Sequence, residues 1–330
     1  MKDRILGLGL ESSCDETAAS IVRDGREILS NVISSQIDLH REYYGVVPEI
    51  ASRAHLETIN SLIDRALGEA GIDFSDLDYV AATNRPGLVG SLLVAVQTAK
   101  VISYGMGIPL VGVNHLEAHL YAPFLAGHEL AYPFIGLLVS GGNTALYHIR
   151  GIGRLEIIGR TVDDAAGEAL DKIAKYLDLG YPGGPVIEKL AGTAVNRNVL
   201  FPKILTDPGD NRFSYSGIKT AVINYIKQNP RADRSEIVYG FQERVMELLT
   251  RRVFSAARSR GIGKIVIAGG VAANGRLRQL LADEKNSDEE IIIPPPVLCT
   301  DNAAMVAGVA YHYFAAGQTD DLTLDVYARA

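Results

Sequence analysis

The sequence predicts an α/β fold of two lobes, each a three-strand meander followed by alternating helices and strands. Three observations predict it: an internal repeat, the spread of glycine, and chain length. The repeat sets ILGLGLESSCDETAASIVRDGREILSNVI, near the start, beside FIGLLVSGGNTALYHIRGIGRLEIIGRTV, which begins at Phe134. At an offset of 127 residues Thr17 matches Thr144, Ala18 matches Ala145 and Arg23 matches Arg150. With 33 glycines along the chain and no Trp, tight strand-to-helix turns are favoured over a large aromatic core. A length of 330 residues suffices for two domains, each with its own core. The expected division is 1–130 and 131–302, with the last helix, about 303–330, packing back on the first lobe.

Each repeat copy reads as an apolar strand, a small-polar turn, a second strand, a glycine turn and a third strand. After the first copy, HLETINSLIDRALGEAG places Leu56, Ile59, Ile63 and Leu67 at helical spacing. YVAAT reads as a strand, SLLVAVQTAKVISYG as a buried helix, PLVGV as a strand and HLEAHLYAPFL as a helix. After the second copy come three helices, DDAAGEALDKIAKYLDLG, the glycine-led YPGGPVIEKLAG and the long SEIVYGFQERVMELLTRRVFSAARSRG. KIVIAGG is then a strand, NGRLRQLLADE a helix, EIIIPP a strand and DNAAMVAGVAYHYFAAG the last helix. This plan resembles the ribonuclease H-like, actin-like superfamily. The resemblance implies a nucleotide between the lobes, its phosphates beside the turns SSCDET and SGGNT, where small residues let backbone N–H groups approach an anion.

A net charge of -7 gives no global attraction to nucleic acid, so any RNA contact has to be local or shared with a partner. Local candidates are Arg154, Arg160, Lys172, Lys175, Arg251, Arg252, Arg258, Arg260 and Lys264, whose plain alternative is a solvated helix face. Cys14 and Cys299 form one bridge at most, and neither sits in a nucleophile motif, which fits a reducing cytoplasm. Glu11 interrupts the first apolar run too early for a signal-peptide core. The run Leu88 to Val96 is broken by Gln97 and Lys100, short of the roughly 20 residues that span a bilayer, so no membrane role is expected.

HLEAH sets His115 and His119 four residues apart, on one helical face, with both imidazoles in reach of a single ion. Asp301 in CTDNAAM offers an oxygen from the far end of the chain, but it is equally suited to cap the last helix, in competition with Asn302 or Thr300. The metalloprotease signature has its glutamate directly after the first histidine, where this chain has Leu116. Glu117 lies about 200° around the helix from His115, so peptidase chemistry is disfavoured. The glycine-rich IAGGVAANGRL follows a strand and opens a helix, a context in which backbone approaches a nucleotide closely and Asn274 is the polar group best placed to read it.

LESSCDET, HLEAH, LLVSGGNT, ALDKIAK, YPGGP, FSYSGIKTA, AGGVAANGRLR and CTDNAAM follow in the order found in one family. The chain resembles, over nearly its whole length, the TsaD-type tRNA threonylcarbamoyladenosine transferases, once labelled O-sialoglycoprotein endopeptidases. That resemblance implies transfer of threonylcarbamoyl from threonylcarbamoyl-AMP to N6 of adenosine 37 in tRNAs reading codons that begin with A. It implies metal ligands at His115, His119 and Asp301, with Fe(2+) favoured and Zn(2+) possible. It also implies nucleotide contacts at Leu138, Val139, Ser140, Gly141, Gly142, Asp171, Gly184, Glu188 and Asn274, and an acidic pair, Asp15 and Glu16, near the reacting centre. Implied partners are tRNA, a TsaB-like paralogue, a TsaE-like small ATPase and a separate synthase that makes the intermediate.

This chain departs from the pattern at three places. Leu138 stands where the archaeal and eukaryotic branch places a tyrosine ligand, Asn143 where many bacterial relatives carry His, and Glu188 where some carry Asp. The reading expects the cation between the two halves of the molecule, with the acyl carbonyl turned to it and either Asp15 or Glu16 taking the proton from the attacking amine. Its rivals are an actin-like ATP-dependent phosphotransferase, which gives no reason for HLEAH with Asp301, and a non-catalytic nucleotide-binding subunit.

Overall fold

The computed structural model describes residues 4–205, 207 and 209–329. Its elements run β1 (Leu6–Glu11), β2 (Glu16–Arg23), β3 (Glu27–Ser35), α1 (Ile37–His40), α2 (Pro48–Ala70), β4 (Tyr79–Arg85), α3 (Val89–Met106), β5 (Leu110–Asn114) and α4 (His115–Leu125). They continue with β6 (Phe134–Val139), β7 (Thr144–Ile149), β8 (Leu155–Arg160), α5 (Ala166–Tyr176), α6 (Gly183–Ala191), α7 (Ser216–Gln228), α8 (Arg234–Arg258), β9 (Lys264–Ala268), α9 (Gly275–Glu284), β10 (Glu290–Ile292), α10 (Pro296–Cys299) and α11 (Ala303–Ala315). The chain divides into two compact units, Met1–Leu130 with Thr300–Ala330, and Ala131–Cys299.

In the first unit the sheet order is β3-β2-β1-β4-β5, with β1 antiparallel to β2 and parallel to β4. Leu8 and Leu10 of β1 are wholly buried with Ile59, Ile63 and Leu67 of α2 and Val94, Ala95 and Ala99 of α3. The other face of β1 meets α11 so closely that a Cβ on Gly9 would stand 2.7 Å from the Ala307 nitrogen, which is why a glycine sits there. Leu56 is 64% exposed, whereas Ile59, Ile63 and Leu67 turn inward together with His55, Leu62 and Ala66. The expected burial of α3 is likewise half met: Val101 and Tyr104 are 72% and 79% exposed. At 18 residues α3 is long and apolar enough to cross a membrane by length and composition alone, with Gln97 and Lys100 inside it as the sequence shows. In the fold, however, it packs its Val94–Ala99 stretch against the sheet.

In the second unit the order is β10-β9-β6-β7-β8, the same arrangement of a central strand, an antiparallel meander to one side and parallel strands to the other. Its core gathers Leu137 and Val139 of β6, Leu170 and Ile173 of α5, and Phe241, Met246 and Phe254 of α8. Helix α7, which the sequence pattern left unassigned, is held at its start by Asp163. That carboxylate accepts from Ser214 Oγ at 2.5 Å and from the N–H groups of Tyr215 at 2.8 Å and Ser216 at 3.3 Å. Two of the candidate RNA contacts turn inward: Arg251 donates to the carbonyls of Ile204 and Leu205, and the buried Arg252 to those of Leu205 and Asp207. These guanidiniums hold a loop by its backbone acceptors, and Lys172 and Arg258 are paired with Asp164 and Glu289.

Candidate metal centre

The first unit brings His115, His119 and Asp301 together, with one donor atom from each lying within 4.8 Å of the others. Local sequence explains each placement. Asn114 ends β5 and caps α4, its side chain accepting from Leu116 N at 2.9 Å, so His115 opens the helix and His119 follows one turn later. Asn302, and not Asp301, caps α11: its Oδ1 accepts from Met305 N at 3.0 Å and its Nδ2 donates to the Thr300 carbonyl at 2.8 Å. The Asp301 carboxylate is thereby released toward the histidines. Its Oδ1 lies 3.0 Å from His119 Nε2 and 3.5 Å from His115 Nε2. All three residues belong to the first unit, whereas the expected boundary at 302 put Asp301 in the second.

The turn after β1 supplies the rest of the surroundings. Ser12 Oγ donates to the Ser91 carbonyl at 2.6 Å and accepts from Ala95 N, while the Ser13 carbonyl accepts from Leu88 N, so this turn is fastened to the start of α3. Glu11, fully buried, lies 3.0 Å from His115 Nδ1. The sequence reading passed over it, although an acid ending an apolar strand is costly without partners and is itself a signal. Burial works against charge on His115, but Asp301 and Glu11 prevail and push its pKa up to about 9. Burial likewise opposes ionisation of Asp301, yet the two histidines hold it down at about 2.

Asp15 and Glu16 lie in the same turn. Burial, then the negative charges of Asp301 and Asp15, push Glu16 up to about 9, and burial raises Asp15 as well. Burial and the neighbouring Asp15 and Asp301 hold the Cys14 thiol well above its usual range, which removes it as a thiolate nucleophile near neutral pH. His55 supports the turn from α2, its Nε2 3.1 Å from the Cys14 carbonyl and its Nδ1 2.7 Å from Thr17 Oγ1.

The second unit assembles the remaining sequence candidates. Leu138 and Val139 are buried in β6, Ser140 is half-buried, and the exposed part of that segment is Gly141 and Gly142. A Cβ on Gly167 would stand 2.7 Å from Gly141 Cα and from the Ser140 carbonyl, so α5 starts directly against this turn. Asp171 accepts from Gly183 N at 2.6 Å, tying α5 to the start of α6 beside Gly184. Glu188 Oε1 accepts from Gly275 N at 2.7 Å, and its Oε2 from Asn274 Nδ2 at 3.2 Å. Asn274 also donates to Gln242 Oε1 and caps α9 through Leu277 N. Both ends of its amide are therefore engaged in holding this turn.

The fold and this centre define an actin-like α/β protein with a buried histidine–carboxylate group that could hold a metal ion. The activator of the 2-hydroxyisocaproyl-CoA dehydratase from Clostridium difficile matches with a TM-score of 0.56 at 17% identity, over 95% of this chain and 97% of that one. HypF from T. kodakarensis matches with a TM-score of 0.60 at 14% identity, over 97% of this chain and 49% of that one. Both likenesses concern the fold. Residues 27–308 match the family model of TsaD, tRNA N6-adenosine threonylcarbamoyltransferase. Curated relatives of that name are 47% identical in Clostridium perfringens, over 98% of this chain and 97% of the relative, and 49% identical in Symbiobacterium thermophilum, over 96% and 94%. The chain belongs to the TsaD family of tRNA N6-adenosine threonylcarbamoyltransferases.

Proposed function

We propose that this chain transfers the threonylcarbamoyl group from threonylcarbamoyl-AMP to N6 of adenosine 37 in tRNAs reading codons that begin with A. Family membership over nearly the whole chain supports the reaction, and the convergence of His115, His119 and Asp301 carries the metal-assisted form of it. Two imidazoles and a carboxylate suit iron(II) or zinc, and Fe(2+) is the ion proposed. When bound, the ion supplies Lewis acidity to the acyl carbonyl. The amine nitrogen of adenosine attacks the carbamoyl carbon, the bond from that carbon to the phosphate oxygen breaks, AMP departs, and the amine proton passes to a carboxylate. Asp15 or Glu16, the two carboxylates of the turn after β1, is the proposed acceptor. In the second unit, the backbone of Ser140 to Gly142 and the segment around Asp171, Gly184 and Glu188 are proposed to hold the nucleotide part of the donor. The proposed partners are tRNA, a TsaB-like paralogue and a TsaE-like ATPase, and the proposed location is the cytoplasm.

The test supplies purified protein with radiolabelled threonylcarbamoyl-AMP, substrate tRNA and both partner proteins. Label transferred to adenosine 37 with release of AMP is the expected result. Absence of transfer with the full set, or ATP-dependent phosphorylation of a substrate in its place, would return the chain to the phosphotransferase reading that the fold alone permits.

A further inference from the structure

The two histidines are held differently. His119 Nδ1, buried, has no hydrogen-bond partner among the described residues. His115 Nδ1 faces the Glu11 carboxylate at 3.0 Å. Glu11 is 0% exposed and each of its oxygens already accepts a bond, Oε1 from the Ser13 backbone N–H and Oε2 from the Thr83 hydroxyl, both at 2.6 Å. The backbone N–H makes Oε1 an acceptor, and Oε2, which accepts from Thr83, is the oxygen that faces His115, an arrangement matched by an Nδ1–H on His115. With Nδ1 keeping its proton, Nε2, the atom 3.5 Å from Asp301 Oδ1, is the nitrogen that would give up its proton to an ion. Ser13 Oγ lies 3.2 Å from the same Nδ1.

We infer that Glu11 is a positioning residue of the metal centre, selecting the His115 tautomer and ring orientation that present Nε2 to the ion, with Thr83 and Ser13 holding Glu11 in turn. A carboxylate behind a ligating imidazole raises its basicity, and loss of such a partner costs about 10–100-fold in metal affinity. The inference rests on the metal-centre reading, so its test uses a metal probe and a tautomer readout in addition to activity.

Full-length wild type, Glu11→Gln and Thr83→Val are titrated with Co2+, followed by its visible absorption and by competition with a chelator. The His115 ring is read by 15N NMR in the Zn2+-loaded protein. Glu11→Gln keeps the shape and removes one acceptor oxygen; the expected result is a Kd raised about 10–100-fold and an altered Co2+ spectrum. Thr83→Val, which frees one Glu11 oxygen without removing the carboxylate, is expected to shift the Kd several-fold less and to retain the Nδ1 proton on His115. Wild-type affinity and spectrum in Glu11→Gln, or a wild-type His115 carrying its proton on Nε2, would overturn the role of Glu11 while leaving the metal centre intact. Failure of the wild type itself to bind Co2+ or Zn2+ would overturn both. Should Glu11→Gln not fold, the wild-type tautomer still decides.

Discussion

The turn between β1 and β2 and the turn between β6 and β7 sit at matching places in two sheets of the same strand arrangement, yet they carry opposite chemistry. At the 127-residue offset Glu11 corresponds to Leu138, Asp15 to Gly142 and Glu16 to Asn143. The first turn gathers the buried Glu11 and the half-buried Asp15 and Glu16 near two histidines. The second has lost every acid and kept small residues, with Gly141 and Gly142 exposed and Gly167 packed beneath. A repeated scaffold thus supports two specialised loops: one suited to a cation and a proton, the other to close approach of backbone to a ligand. The lesson is that duplication preserves strand order and core pattern, while chemistry is set by a handful of turn residues.

Breaking the histidine–carboxylate centre beside the first turn should leave the second turn intact. His115→Ala with His119→Ala is expected to abolish metal retention, measured by elemental analysis, and to lower transfer by at least about 100-fold. Binding of an AMP analogue by the second unit should persist. The converse change, Gly167→Ala, pushes a methyl into Gly141 and Ser140 and should cost about 1–3 kcal/mol in thermal or denaturant unfolding. It should weaken AMP-analogue binding with metal content unchanged. Loss of metal in that variant would mean the two turns are not separable.

Smaller effects sharpen the contrast. Asn302→Ala removes the cap of α11 and should cost about 1 kcal/mol, with a measurable fall in metal affinity because the cap keeps Asp301 free. In the second unit, burial works against the Asp163 carboxylate, but hydrogen bonds from Ser214, Tyr215 and Ser216 hold it below the usual range. Its stabilising contribution is therefore present above the unfolded carboxylate pKa of about 3.9 and is lost as pH falls through the lower folded value. Asp163→Asn should reduce protection of Ser214 to Ser216 in hydrogen exchange near pH 7 and flatten the acid limb of the unfolding curve. An unchanged acid limb would show that other carboxylates govern it.

Much of this was legible in the sequence. Apolar periodicity and the repeat located nearly every strand and helix, because those signals come from burial on one face. Helix α7 escaped, its start being set by a distant carboxylate, Asp163, instead of a local cap. Helical spacing grouped Leu56 with Ile59, Ile63 and Leu67, and only the fold shows Leu56 exposed while the other three are buried. At the centre, HLEAH was readable from local geometry, whereas the competition between Asp301 and Asn302 for the cap could be resolved only by the backbone. Glu11 was overlooked because its partners, Thr83 and His115, lie 72 and 104 residues away. Asn274 and Glu188 were noticed as separate polar groups, and their mutual hydrogen bond depends on a contact 86 residues apart.

The most direct measurement is single-turnover transfer by protein stripped with a chelator and reloaded with one equivalent of Fe2+, in the presence of tRNA, threonylcarbamoyl-AMP and the partner proteins. Stripped wild type should react at least about 100-fold more slowly and recover on reloading, while His119→Ala should not recover. Transfer at the full rate by metal-free wild type would contradict a role for the His115, His119 and Asp301 centre in the reaction.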